Sequence, residues 1–329
     1  TIILVKEVVE VVKMDKYRRA RLSKKRNSKK MKVVLVVCFT LVLLMIPTFI
    51  YIDYRVKGEN QIVSAQPEQE EENIQKEPEK PKLDNSRYLN LEEDENADSA
   101  QMVSENTNGL LTGTKTYPVR TDGKKVAYLT FDDGPSTTNT PEVLKVLDKY
   151  NIKGTFFVLG TSLKDNTQAQ EILKTIAGSG HAIANHTYSH DYKYLYPNRV
   201  MNVENITNDI EKNNALLKEI LGKDFDTKTI RFPGGYWSWN GRQPMKDKMI
   251  EKGYCNIDWN ALNGDAEGKK KDATGLFGKL KSSVEELGPN ADSVVILMHD
   301  TYGKEETVKA LPQIIEYLQG KGFEFRTMK

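Results

Sequence analysis

The chain has 329 residues, with 48 Lys and Arg against 46 Asp and Glu and a formal net charge of +2. That length suits one or two domains, and the near balance of charge excludes an extreme electrostatic partner for the chain as a whole. Its two cysteines, Cys38 and Cys255, exclude a disulfide framework within a domain and a Cys-rich zinc module.

The balanced average conceals segregation along the chain. Residues 1–13 are an apolar, mildly charged prefix starting at Thr1, and Met14 reads as the natural start. Lys and Arg dominate from Lys16 to Lys32, so residues 1–32 read as a basic N-terminus that stays in the cytoplasm. An uncharged apolar run follows from Val33 to Ile52, long enough to cross a hydrocarbon core of about 30 Å. It exceeds the about 7 to 15 apolar residues of a signal peptide, and the small-residue pattern Val63-Ser64-Ala65 lies well beyond its end. The sequence therefore predicts an uncleaved transmembrane anchor over 33–53 and a single-pass cell-membrane protein whose remaining chain is extracellular. No nucleic-acid role is expected of the basic block beside such a span, and no protein partner is implied.

Residues 54–115 are rich in Glu, Asn, Gln, Pro and Ser. With little apolar surface to bury, they are expected to form a disordered acidic linker. The globular part is expected over 116–329, about 210 residues and ample for one core. Apolar strands are predicted at 125–132, 154–159, 181–185, 228–232, 254–259, 293–299 and 323–327. Amphipathic helices are predicted at 140–150, 168–178, 198–221, 243–252, 275–287 and 305–320. Thr140-Pro141-Glu142 makes a good helix start, and Gly222, Gly253, Gly288 and Gly320 make good stops. Strand-helix alternation predicts an α/β fold with a parallel sheet, either a barrel or an open doubly wound sheet.

The chemistry gathers at strand ends. The apolar run Val126 to Phe131 delivers two adjacent carboxylates, Asp132 and Asp133, just before Gly134-Pro135. Downstream, His186 and His190 form an H-x-x-x-H pair, and His299 ends another apolar run. Two imidazoles and one carboxylate make a three-ligand set with an open position on a catalytic zinc, which frees the second carboxylate to act as a base. Asp132, Asp133, His186, Arg231, Asp258 and His299 each fall at or just past a predicted strand's C-terminal end. A barrel brings those ends together on one face, whereas an open sheet gathers ligands at one crevice.

The segments Thr130-Phe131-Asp132-Asp133-Gly134-Pro135 and His186-Thr187-Tyr188-Ser189-His190 resemble the first two motifs of the polysaccharide deacetylases, carbohydrate esterase family 4. Arg231-Phe232-Pro233-Gly234-Gly235, Asp258-Trp259 and Ile296-Leu297-Met298-His299 follow in the family's order. Five ordered motifs are specific where any one would be weak. The resemblance implies a distorted (β/α) barrel of about seven strands. It assigns Asp133, His186 and His190 as metal ligands, for Zn2+ or another divalent ion such as Co2+. It implies Asp132 as general base and His299 as general acid, with Arg231 orienting Asp132 and Asp258 orienting His299. Trp259 and Leu297 resemble the apolar walls that receive an acetyl methyl.

One motif departs from the family pattern. An aromatic residue that commonly follows the proline of the Arg motif is replaced by Gly234, so an oxyanion-binding backbone N–H is expected at Gly234 or Gly235. Tyr236, Trp237 and Trp239 follow at once and are candidates to replace the missing groove wall. His181, inside a predicted strand, reads as structural. The resemblance and the expected anchor together imply a membrane-held deacetylase acting on a cell-wall glycan, peptidoglycan N-acetylglucosamine first. Chitin, poly-N-acetylglucosamine and O-acetylated xylan are alternative substrates, and a catalytically silent wall-binding module is the alternative of another class. A metallopeptidase of the H-E-x-x-H kind is disfavoured by Asn185 and Thr187 beside His186.

Overall fold

The computed structural model describes residues 88–329. The expected basic terminus, transmembrane anchor and first part of the linker lie outside the described residues. Among the described residues, no helix is long and apolar enough to cross a membrane.

Order begins earlier than the composition suggests. Strand β1 (Ala97–Asp98) and helix α1 (Ala100–Leu111) fall inside the stretch expected to be a linker, so that expectation is corrected over the described residues 88–115. The buried face of α1 is Ala100, Val103, Asn106, Thr107 and Gly109, a helical stripe built mostly of small and polar residues. Such a stripe carries little hydrophobic signal, which is why composition missed it.

Seven parallel strands then form a curled half-barrel. They are β2 (Val126–Gly134), β3 (Thr155–Val158), β4 (Ala182–Asn185), β5 (Thr229–Ile230), β6 (Cys255–Asn256), β7 (Ala261–Leu262) and β8 (Ser293–His299), in the spatial order β6-β5-β4-β3-β2-β8-β7. The helices between them are α2 (Asn139–Lys149), α3 (Gly160–Leu163), α4 (Thr167–Gly178), α5 (Tyr192–Leu195), α6 (Val203–Leu221), α7 (Arg242–Lys252) and α8 (Ala273–Glu286). Helix α9 (Glu305–Gly320), β9 (Glu324–Phe325) and β10 (Thr327–Met328) close the chain; β9 adds to the start of β2, and β10 pairs with β1.

The expected strand at 254–259 ends after two residues, and the unforeseen β7 follows it. Just past that end, Asp258 accepts the backbone N–H of Tyr236 with its carboxylate. Strands β6 and β7 are the two ends of the sheet path, and the barrel stays open between them.

Alternation along β2 sorts the core into two layers. Ala127, Leu129 and Phe131 face the outer helices, packing with Leu147, Leu173 and Ile314. Val126 and Tyr128 face the barrel interior with Phe157, Ala184, Ile257 and Val295. Ala100 and Val103 of α1 complete that inner cluster. Ser104 Oγ donates to the Asn256 carbonyl of edge strand β6 at 2.7 Å, and Ala100 N donates to the Lys329 carbonyl at 2.8 Å. Helix α1 is therefore part of the barrel's packing. The same alternation sends Thr130 and Asp132 inward, toward the mouth where the strand ends meet.

Candidate active site

The mouth holds a cleft of about 310 Å³ lined by Asp132, Asp133, His186, His190 and His299, with Trp259, Leu297, Gly234 and Tyr192 among its walls. Strand β2 delivers the first two. Asp133 sits in the left-handed region at φ 68°, which swings its carboxylate away from Asp132 and toward the histidines. Gly134 follows because a Cβ there would collide with the Asp300 carboxylate.

Asp133 Oδ1 lies 3.5 Å from Nε2 of both His186 and His190, and one ligand atom from each of the three falls within 4.8 Å of the others. His186 Nδ1 is 2.8 Å from the Arg231 carbonyl, so Nδ1 carries the proton and Nε2 offers its lone pair. Burial holds the His186 imidazole neutral, pushed down to about 3. Asp133 Oδ1 is buried with no hydrogen-bond partner. A buried, unpartnered carboxylate oxygen beside two imidazole nitrogens fits a divalent cation, and the donor set suits zinc.

The ligand loop is held from behind. Thr187 and His190 are both left-handed, at φ 69° and 53°. Asn185 Oδ1 accepts Thr187 N at 2.7 Å, and Asp209 Oδ2 on α6 accepts Tyr188 N, Ser189 N and Ser189 Oγ at 3.0, 2.8 and 3.0 Å. These bonds fix where His190 points.

Asp132 is buried beside this triad, its Oδ2 3.7 Å from His186 Nε2. Its other oxygen accepts Arg231 Nη1 at 2.7 Å. Arg231, itself fully buried, also donates to Thr130 Oγ1 at 2.8 Å and the Ile257 carbonyl at 2.7 Å, and stacks 3.9 Å from the centre of the Phe157 ring. Burial raises the pKa of Asp132, and Arg231 and His299 offset this only in part. The Arg231–Asp132 pairing expected from the sequence is present.

The expected Asp258–His299 pairing is not. Asp258 accepts Tyr236 N with both oxygens, at 3.1 Å each, and burial raises its pKa. The carboxylate at His299 is Asp265, from the turn after β7: its Oδ1 is 2.7 Å from His299 Nδ1 and its Oδ2 accepts His299 N at 2.9 Å. Thr307 Oγ1 donates to the same Oδ2 at 2.7 Å. Burial opposes the imidazolium, but the Asp265 carboxylate outweighs it, so the His299 pKa is raised and Nε2 is left facing the metal triad, 3.9 Å from Asp133. Burial would raise Asp265, yet the bonds from His299 and Thr307 hold it below its ordinary range.

A buried carboxylate, Asp132, and the His299 imidazole therefore lie beside one Asp-His-His group at the mouth of a curled parallel half-barrel. Residues 119–251 match the family model described as Polysaccharide deacetylase. The chain is 32% identical over 214 residues to a peptidoglycan-N-acetylglucosamine deacetylase of Bacillus cereus, covering 64% of this chain and 72% of that one. The chain belongs to the polysaccharide deacetylase family. A bifunctional xylanase/deacetylase of Pseudobutyrivibrio xylanivorans is 35% identical over 208 residues, 63% of this chain, which spans only 30% of that longer protein. The solved structure of a Streptococcus mutans CE4 esterase superposes with a TM-score of 0.63 at 34% identity, covering 71% of this chain and 92% of that one.

Within this deacetylase fold the remaining expected residues divide. Trp259 and Leu297 line the cleft, as does Gly234. Gly235 packs beneath the Trp259 ring, and its N–H is taken by the Phe232 carbonyl at 2.8 Å. Tyr236 is corrected from wall to core: it is buried against Phe232 and Met245, with its hydroxyl on the Arg242 carbonyl. His181 is structural as expected, buried and accepting Gly154 N at 3.0 Å.

Three residues escaped the sequence reading. Asp265 follows Asn263-Gly264, where an acid reads as turn chemistry. Asp209 sits among other polar residues of a helix. Tyr192 lines the cleft, 5.1 Å from the His190 ring, and a Cβ placed on Gly234 would meet its hydroxyl at 3.2 Å. Tyr192 thus occupies the space above Gly234, and the density of tyrosines at 188, 192, 194 and 196 was its readable signal.

Proposed function

We propose that this protein is a metal-dependent hydrolase that removes N-acetyl groups from N-acetylglucosamine residues of a cell-wall glycan, with peptidoglycan as the substrate. The observation that carries this reading is the placement of Asp132 and His299 beside the Asp133–His186–His190 triad. Asp133, His186 and His190 would hold a divalent ion, which would supply Lewis acidity toward the acetamide carbonyl and acidify water. Asp132 takes the proton of the attacking water, and its raised pKa makes it the stronger base. His299 donates the Nε2 proton to the departing amine as the C–N bond breaks, leaving acetate and a free amino sugar. Gly234, which lines the cleft, is assigned the developing oxyanion through its backbone N–H, and Trp259 and Leu297 the acetyl methyl.

Relatives named for peptidoglycan support the substrate, and the apolar run at 33–52 supports a tether that holds the extracellular enzyme at the cell envelope. The deciding experiment measures acetate release by the 329-residue chain from purified peptidoglycan, N-acetylglucosamine oligomers and acetylated xylan, with metal stripped and restored, beside D132N. Metal-dependent release from peptidoglycan, abolished in D132N, is expected. Release from xylan alone would move the substrate to an O-acetyl ester. Silence on every glycan with metal bound would favour a wall-binding module.

A further inference from the structure

The aromatic residues after Gly235 do not share one fate. Tyr236 and Trp239 are 8% and 7% exposed and belong to the core, whereas Trp237 between them is 41% exposed. Trp237 lies outside the core cluster that takes in Tyr236 and Trp239. It is nevertheless held in place. Its indole Nε1–H donates to Asn108 Oδ1 at 3.3 Å, the Arg242 guanidinium lies 5.3 Å from its ring centre, and the Tyr236 ring meets it edge-on at 5.2 Å. Asn108 belongs to α1, outside the matched family region, and Arg242 opens α7, so two separate elements converge on one exposed ring.

Trp237 is also close to the cleft along the chain. It stands three residues beyond Gly234, a cleft-lining residue, which limits the separation along the backbone to about 11 Å. Gly235, between them, packs on the cleft wall Trp259. A glycan polymer whose acetamide sits over the triad carries further sugar rings beyond the reacting one. One face of a pyranose ring carries axial C–H groups and is apolar, while its edges carry hydroxyls. A fixed indole face matches the first, and a polymer of such rings is the ligand chemistry that an isolated, rigid, solvent-facing tryptophan beside a cleft can recognise. Because the ring is already held, binding costs little further side-chain entropy.

We infer that Trp237, fixed by Asn108 and Arg242, is a remote sugar-stacking subsite that binds a pyranose ring of the same glycan chain outside the reacting residue and makes the enzyme favour longer chains. This inference rests on the deacetylase reading above. The test compares kcat/KM of the 329-residue chain and its W237A, W237F and N108A variants on N-acetylglucosamine dimer and pentamer, together with calorimetric titration of the pentamer.

In W237A the pentamer-to-dimer ratio of kcat/KM is expected to fall about fivefold, mainly through KM, with W237F restoring most of it and N108A losing about twofold. A role confined to folding would lower both substrates alike and leave the ratio unmoved, which overturns the inference while leaving the deacetylase reading intact. If the wild-type chain releases no acetate from any oligomer or from purified peptidoglycan, that reading fails instead. The inference is then decided by titration, where weaker pentamer binding in W237A sustains it and equal binding overturns it.

Discussion

Asp265 grips His299 twice, accepting its backbone N–H at 2.9 Å and lying 2.7 Å from its ring Nδ1. One carboxylate thereby sets the position, the tautomer and the proton affinity of the imidazole. Replacing it with Asn keeps the size and the acceptor for the backbone but removes the charge. The charge favours imidazolium, so its loss lowers the His299 pKa, and the alkaline limb of the kcat/KM profile should move to lower pH by about one unit. The rate at the optimum should fall about 10- to 100-fold. A D265N profile superimposable on wild type would show that His299 is not the titrating acid. The corresponding D258N change should leave the alkaline limb where it is.

Arg231 and Asp132 form a buried ion pair, with Nη1 2.7 Å from Oδ1. Removing one partner of such a pair costs about 3 to 5 kcal/mol because the other charge remains buried. R231M should therefore be strongly destabilised in urea unfolding, and R231M/D132N, with no charge left behind, should recover about 1 kcal/mol or more of that loss. Additive losses in the double variant would mean that the two groups do not interact.

How much of this was legible in the sequence depends on how each residue is anchored. Asp132, Asp133 and His299 end long apolar runs that became β2 and β8, so periodicity alone placed them at the mouth. His186 and His190 are four apart in one loop and were readable as a pair. Asp265 was not, because it reaches His299 across 34 residues from an irregular turn, while Asp258 stood at the more conspicuous position beside Trp259. Residues 88–115 were lost for a different reason. Helix α1 buries Ala, Thr, Asn and Gly around one valine, and composition cannot separate that from a linker. The half-barrel's opening was likewise invisible, since it lies between the two-residue strands β6 and β7, too short to show a periodicity.

Asp209 makes no contact with the triad itself, yet it accepts two backbone amides and one hydroxyl of the loop that carries His190. Outer-shell groups of this kind typically contribute 10- to 100-fold to metal affinity, about the loss expected of D209A. Competition against a chelator with Zn2+ or Co2+ reads the effect directly. Unchanged affinity in D209A would show that the loop holds its shape without this carboxylate.

Helix α1 offers the simplest check that the chain is ordered before residue 115. Val103 is fully buried in the inner core cluster with Tyr128 and Val295. V103A should cost about 2 kcal/mol and lower Tm by roughly 4 to 8 °C in a domain of this size. A valine in a disordered linker would cost nothing, so a Tm identical to wild type would restore the linker boundary at 115.

His181 provides a stability switch that is separable from the metal site. Its ring is buried, stands edge-on to Phe156, and accepts Gly154 N at Nδ1; burial pushes its pKa down to about 3. The unfolded chain has an ordinary histidine near pH 6.5, so between about 6.5 and 3 the unfolded state binds the extra proton. Stability from the neutral ring is thus fully present above about 6.5 and is lost as pH falls, at up to about 1.4 kcal/mol per unit. H181N retains an oxygen to accept the Gly154 amide but cannot titrate. Wild type and H181N, measured side by side by urea unfolding at pH 7 and pH 5, should differ in their pH dependence by about 2 kcal/mol, with wild type the one that weakens in acid. Every other titrating group is common to the two proteins and cancels in that difference. A gap between them that does not change with pH would mean that the folded ring protonates freely, which its burial beside Phe156 forbids.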